Sequence, residues 1–280
     1  MVIFTEKEKL TPYIKNLISE GKTIGFIPTM GALHEGHLSL AKESIAKNDI
    51  TIVSIFINPT QFNNPEDLEK YPRTEEKDID LLTSIGVDFV YLPTVSDLYE
   101  ENEVAKKYNF GGIENVMEGK FRPGHFDGVA TIVAKLLRAV NPTRAYFGEK
   151  DFQQIRVVQE MVKQEAIHVE IVPMPIFRAE NGLALSSRNM RLSAENLEAA
   201  PFIYQVLKEA VELKNNGKLP KEIKKFVEET FAKSPFELEY FEITDEEQLL
   251  PISEFNEAIK SRGFIVAYAG DIRLIDNIQF

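Results

Sequence analysis

The densest chemistry in the chain lies at residues 29–40, Thr-Met-Gly-Ala-Leu-His-Glu-Gly-His-Leu-Ser-Leu, directly after the apolar run 23–28. Residues 24–27 are short and β-favouring, Pro28 closes the strand, Gly31 supplies a tight turn and Gly36 lets a ligand approach the main chain. A helix is expected to begin near His37. Its first backbone N–H groups and the imidazoles of His34 and His37 then converge on one point, an arrangement suited to a phosphate and hence to a nucleotide. A capped turn and a fragment of a zinc site are the competing readings. Zinc needs three or four ligands, whereas the chain has no cysteine and only His125 and His168 besides, so carboxylates would have to complete the site.

Further groups able to do chemistry follow at wider spacing. In Gly148-Glu149-Lys150-Asp151, after a short strand at 144–147, Lys150 either reaches phosphate as a mobile point charge or forms a solvated, salt-bridged turn. Gln153 and Gln154 come next, neutral amides suited to orient a hydroxyl or carboxylate. Leu185-Ser186-Ser187-Arg188-Asn189 offers two hydroxyls, their N–H groups and a guanidinium, which make a clamp for phosphate oxygens or a plain helix cap. Asn58 and Gln61 present uncharged hydrogen-bonding groups where Asn-Pro also begins a turn, with Phe62 and Tyr71 as pocket walls. Arg122 precedes an apolar helix at 129–140 and either pairs with substrate or holds its loop. His125 and Asp127 lack a local nucleophile and are read as structural hydrogen-bonding groups, and His168 receives no role.

The elements that must carry these groups alternate. β-like runs at 23–27, 50–57 and 89–92 are separated by helical stretches at 38–47 and 65–85, the pattern of a doubly wound, Rossmann-like parallel α/β sheet. Ligands of such sheets sit beyond the carboxyl ends of the strands, so the loops after 23–27, 50–57 and 144–147 are expected on one rim. A β-like run at 171–177 is interrupted by Pro173 and Pro175. Beyond residues 180–193 come charged amphipathic helices at 194–215 and 220–232, then strand candidates at 238–243, 264–269 and 272–275 with Gly270-Asp271 as a hairpin turn. These predict a second, smaller α+β domain, the division falling between 1–176 and 177–280. Residues 97–107 read as a solvated loop or short helix.

Composition narrows the function class. The 280 residues, 44% hydrophobic, suffice for a large and a small domain. A net charge of -12 opposes a nucleic-acid surface, although basic groups at 120–125 and 150–156 concentrate locally enough for a small anion. No apolar run approaches the roughly 18 residues of a membrane span, and the first residues lack a signal-peptide pattern, so no membrane partner and a cytoplasmic location are expected. Absence of cysteine removes disulfides, thiolate nucleophiles and iron–sulfur clusters.

His34-Glu35-Gly36-His37 resembles the His-x-Gly-His signature of the cytidylyltransferase and class I tRNA synthetase superfamily, and the 185–189 loop resembles that superfamily's mobile Lys/Ser loop. Together with the runs 28–37, 56–62, 71–74, 122–128 and 147–151, these motifs resemble the pantothenate synthetase family in order and spacing across essentially the whole chain. The resemblance implies ATP-dependent condensation of (R)-pantoate with β-alanine through an enzyme-bound pantoyl adenylate, with Mg²⁺ required, in a homodimer joined through the N-terminal domains. It places ATP contacts on Met30, Gly31, Ala32, Leu33, His34, Glu35, Gly36 and His37, on Gly148, Glu149, Lys150 and Asp151, on the main chain near Phe177, and on Leu185, Ser186, Ser187 and Arg188. Pantoate contacts fall on Gln61 and Gln154, with Gln61 also placed to meet β-alanine. Asn58 and Arg122 are further substrate-binding candidates. His37 is implied as proton donor, His34 and Lys150 as supports for the phosphates, and Ser186, Ser187 and Arg188 as groups closing over them with the small domain as a lid. No metal ligand is identified. Two other function classes share the histidine motif's chemistry: a nucleotidyltransferase releasing a stable nucleotide-linked product, and a non-catalytic nucleotide sensor.

Overall fold

The computed structural model describes residues 1–280. Along the chain run β1 (Val2–Phe4), α1 (Lys7–Ser19), β2 (Ile24–Thr29), α2 (Glu35–Lys47), β3 (Ile50–Ile55), α3 (Pro65–Glu69), α4 (Glu75–Ile85), β4 (Phe89–Tyr91), α5 (Val95–Leu98), α6 (Met117–Phe121), α7 (His125–Val140), β5 (Arg144–Gly148), α8 (Phe152–Gln164), β6 (Glu170–Met174), α9 (Ala194–Ala199), α10 (Phe202–Asn215), α11 (Pro220–Phe231), β7 (Glu237–Asp245), β8 (Ser261–Ala269) and β9 (Ile272–Gln279). They form two units. The first comprises Met1–Phe110, Arg122–Glu149 and Gln154–Pro175, the second Gly111–Phe121, Lys150–Gln153 and Ile176–Phe280.

The first unit holds a six-stranded sheet in the order β1-β4-β3-β2-β5-β6 with every pairing parallel, the doubly wound α/β architecture expected from the alternating pattern. From β2 the chain winds outward through β3 and β4, then returns to the other side of β2 to form β5 and β6. The carboxyl ends of β2 and β5 therefore flank the switch point, where such sheets open a crevice for ligands. Its core joins Leu33, Leu38, Ala41, Val53, Leu82, Val90 and Tyr146. Pro28 does not close β2 as expected. Ile24 bonds towards Thr143 while Thr29 accepts the Phe56 N–H, so by alternation Pro28 faces β5, whose register with β2 ends at Phe26, and no partner needs its missing N–H.

Proline also corrects two expected helices. The stretch 65–85 is divided into α3 and α4 around Pro72, and 194–215 into α9 and α10 at Pro201, whose ring removes the N–H an unbroken helix would use, although Ala200 before it keeps helical φ and ψ. Pro173, by contrast, lies within β6, an edge strand. Residues 97–107 are not simply solvated: Leu98 and Tyr99 are buried, Glu103 pairs with Lys135 at 2.7 Å and Lys106 with Glu165 at 2.5 Å. β1 and α1 were not anticipated.

In the second unit β7, β8 and β9 make an antiparallel sheet. Ala269 pairs with Ile272 across the two-residue turn Gly270-Asp271, where Gly270 has φ +60. Ile203, Leu207, Ile223, Val227 and Phe231 from α10 and α11 pack on Phe241, Ile265 and Leu274 of that sheet. Arg273 of β9 binds Glu118 of α6 through two 2.7 Å bonds, and Tyr240 donates to the same carboxylate at 2.8 Å. Burial, then the neighbouring Glu118 carboxylate, pushes the Tyr240 phenol well up, so it remains a donor. This charged anchor explains why α6 groups with the C-terminal sheet.

Candidate active site

In the first unit the turn after β2 needs two residues in the left-handed region, Gly31 at φ +80 and Ala32 at φ +49. A buried carboxylate holds it there. Asp78 of α4, 1% exposed, accepts the Ala32 and Leu33 N–H groups at 2.8 Å each and the Thr74 hydroxyl at 3.1 Å. Sequence reasoning missed Asp78. Its signal was an acidic residue one helical turn before Leu82, on the face that α4 buries.

α2 begins at Glu35, two residues before the expected start, because His34 caps it. The His34 Nδ1 accepts the Gly36 N–H at 3.2 Å, and the His37 Nδ1 accepts the His34 N–H at 3.4 Å, with the rings 4.1 Å apart. With Nδ1 of both rings engaged as acceptors, a neutral imidazole at either position carries its proton on Nε2. Each histidine is thus prepared as a hydrogen-bond donor by the helix start itself.

Gln61 follows β3 and donates from Nε2 to the Met30 Sδ at 3.0 Å, joining the turns after β2 and β3. Asn58, expected at a substrate, is 1% exposed and fully engaged with protein. Its amide nitrogen donates to Gln61 Oε1 and the Gly128 carbonyl at 3.2 Å each, and its oxygen accepts from Tyr99 at 2.8 Å and Thr60 at 3.1 Å. That uses both donors and both lone pairs, so Asn58 orients Gln61. His125 bonds through Nδ1 to the Gln61 carbonyl at 2.8 Å, in keeping with its structural reading. Asp127 likewise serves structure, pairing with Lys107 at 2.7 Å. Phe62 and Tyr71 meet edge-on at 5.7 Å. Arg122 opens the turn into α7, its carbonyl accepting the His125 N–H at 3.0 Å. Gly148 and Glu149 leave the same edge of the parallel sheet as Met30 and Asn58, and Gln154 lies half-buried on α8.

In the second unit Lys150 and Asp151 occupy a 3-10 turn. The Lys150 side chain is only 17% exposed and its pairing with Asp151 is long, 3.8 Å, which does not fit a solvated salt bridge. Gln153 is not available to a ligand: it is buried, donating to the Ile113 and Val116 carbonyls and accepting the Glu118 N–H. Phe177 and Leu185 face each other on a hairpin, the Phe177 carbonyl accepting the Leu185 N–H at 3.1 Å. Ser186 then caps the 3-10 turn Ser187–Arg191, its Oγ accepting the Arg188 N–H at 3.3 Å while Asn189 Oδ1 accepts the Ser186 N–H at 2.5 Å. The cap and the cluster of donors are the same residues. No group of three or more His, Cys, Asp or Glu side chains is arranged to hold a metal ion.

A Pantoate-beta-alanine ligase family model matches residues 2–279. The pantothenate synthetase of Flavobacterium psychrophilum is 52% identical, covering 100% of this chain and 99% of that protein, and that of Phocaeicola vulgatus is 49% identical over 98% and 97%. Among solved structures, a pantothenate synthetase from Thermus thermophilus superposes with a TM-score of 0.92 at 40% identity, covering 100% of this chain and 99% of that one. A pantoate-beta-alanine ligase from Francisella tularensis, described as complexed with beta-gamma ATP and beta-alanine, does so with a TM-score of 0.82 at 37% identity, over 100% and 97%. With the match running nearly end to end in sequence and in fold, the chain belongs to the pantoate-β-alanine ligase family.

Proposed function

We propose that this chain condenses (R)-pantoate with β-alanine at the expense of ATP, through a pantoyl adenylate, releasing AMP and diphosphate and forming pantothenate. The observation that carries this reading is the turn after β2: a strained Met30–Leu33 backbone, a helix start capped by two histidines, and Gln61 bonded to Met30. A nucleotide and a small hydroxy acid are the ligands such donors suit, and the Francisella relative, described as complexed with beta-gamma ATP and beta-alanine, supports the nucleotide and the amine substrate.

In the first step a pantoate carboxylate oxygen attacks the α-phosphorus, a P–O bond forms, and the bond to the bridging oxygen breaks as diphosphate leaves. Two anions must meet, so charge neutralisation and in-line placement supply most of the acceleration. His34 and His37 donate from Nε2, the α2 N–H groups add their partial charge, Lys150 supplies an ammonium, and Ser186, Ser187 and Arg188 supply further donors to the phosphates. Main-chain groups of Gly148, Glu149, Asp151, Phe177 and Leu185 complete the nucleotide contacts. Gln61 and Gln154 hold pantoate; Arg122 binds it or braces the loop before α7, and the pantoate KM of Arg122→Ala separates the two. In the second step the neutral amine of β-alanine attacks the acyl carbon, the C–O bond to AMP breaks, and the amine loses a proton. Mg²⁺ bound to the triphosphate would offset part of its charge, beside the groups that Lys150 and the α2 N–H groups supply.

The adenylate route predicts pantoate-dependent exchange of labelled diphosphate into ATP without β-alanine. Absence of exchange under saturating Mg·ATP refutes it, release of an uncleaved nucleotide-linked product favours a nucleotidyltransferase, and ATP binding without turnover favours a sensor. We further assign the protein to the cytoplasm and to a homodimer. Supporting the dimer, the edge strand β1 and the adjoining α1 leave Val2, Ile3, Tyr13 and Ile18 exposed, an apolar sheet edge of the kind that association covers.

A further inference from the structure

We propose that Asp276 and Asn277, adjacent on β9, are positioning residues that set Lys150 and the 177–185 hairpin in place for the nucleotide. This rests on the ligase reading and deepens it. Neither residue belongs to the motifs that the sequence singles out, and both are buried although neighbouring strand positions normally alternate between core and surface. Successive side chains leave a strand on opposite faces, so one dipeptide can reach two segments.

Asp276 serves the hairpin. Arg178, at the isolated bridge to Ala184, donates to its two carboxylate oxygens at 2.6 and 2.8 Å, to the Asn277 carbonyl at 3.2 Å and to the Gly182 carbonyl at 3.1 Å, with its guanidinium 3.7 Å from the Tyr204 ring centroid. Phe177 and Leu185 are next to this clamp, and Ser186, Ser187 and Arg188 continue from it. Asn277 serves the lysine. Its Nδ2 donates to the Lys150 carbonyl at 3.0 Å, its Oδ1 accepts from Arg262 at 2.6 Å, and Arg262 is itself held by Glu246 at 2.8 Å and by the Phe152 ring at 4.1 Å. The two are also tied to each other, since Asp276 Oδ1 accepts the Asn277 N–H at 2.7 Å. Burial pushes the Asp276 carboxyl up, and the charges of Arg178 and Lys150 oppose that push. A buried ion pair of this kind adds little stability over a packed apolar pair, whereas it fixes direction, which is what a phosphate site needs.

Asn277→Asp keeps the shape and the acceptor for Arg262 but sets an oxygen against the Lys150 carbonyl. In diphosphate exchange it should raise the ATP KM about tenfold and leave the KM for β-alanine in the full reaction unchanged. The decisive comparison is Lys150→Ala with and without Asn277→Asp: action through Lys150 predicts that the double variant is no worse than Lys150→Ala alone, while losses that multiply, or an unchanged ATP KM, overturn the proposal. Should Asn277→Asp not fold, Asp276→Asn paired with Arg178→Gln repeats the cycle with ATP affinity measured calorimetrically, where non-multiplying losses support the role and multiplying or absent losses overturn it. Wild-type protein that shows no exchange refutes the ligase reading instead, and the calorimetric ATP affinities then still decide the positioning claim.

Discussion

His37 is a helix cap and a proposed donor to the nucleotide, since the Nδ1 that accepts the His34 N–H leaves the proton of a neutral ring on Nε2. His37→Ala should lower turnover on the order of 10² or more with the circular dichroism spectrum unchanged, because a preorganised donor to developing charge is typically worth that much. Asp78 works one step further back. Asp78→Asn replaces an acceptor facing the Ala32 or Leu33 N–H by a donor, which should cost about 1–3 kcal/mol in denaturant unfolding and raise the ATP KM, as the left-handed Ala32 loses its restraint. The histidines were legible in the sequence because their type and spacing are rare. Asp78 was hidden among the several acidic residues of α4, and only its burial distinguishes it.

At the scale of elements, α7 props the turn that carries Gln61. A Cβ added at Gly128 would lie 2.4 Å from the Thr60 carbonyl oxygen, a backbone atom with no room to yield. Gly128→Ala should therefore destabilise by about 1–3 kcal/mol and raise the pantoate KM, which steady-state kinetics can check against unfolding curves. Glu165 of the segment after α8 ties three elements, accepting from Lys106, Arg138 and Tyr108. The Lys106 hydrogen bond foremost, helped by Arg138 and Tyr108, pulls its carboxyl down to about 2. A depressed carboxyl contributes stability above its unfolded value, and that contribution is lost as pH falls from about 5 towards 2. Because Lys106 and Arg138 are more than half exposed, the contribution is roughly 1–2 kcal/mol. Glu165→Gln should flatten the acid limb of a stability profile over that interval and lower stability at neutral pH. Element types were readable from hydrophobic period, and helix limits less so: Pro72 and Pro201 each end a helix, while His34 starts one by a capping role that histidine rarely plays.

For the molecule as a whole, the proposed need for Mg²⁺ belongs to the ATP-dependent reaction. Chelation by EDTA should abolish diphosphate exchange and leave the melting temperature unchanged within a degree. The exposed β1 edge gives the dimer assignment a direct check: light scattering coupled to gel filtration should report about twice the 31.8 kDa chain mass, and Ile3→Lys should shift it towards one. No helix is long and apolar enough to cross a membrane.

The sequence alone determined the doubly wound architecture, the C-terminal hairpin, and the family with its histidine and Ser-Ser-Arg motifs, because these are set by local periodicity and by residues close together in the chain. Tertiary structure alone decided which residues hold those motifs. Asp78 lies 46 positions from Ala32 and Asn277 lies 127 from Lys150, and α6 joins the C-terminal sheet through Glu118 and Arg273, 155 apart. Such polar contacts depend on burial and on chain segments meeting in space, and neither quantity has a local pattern that a linear reading can register.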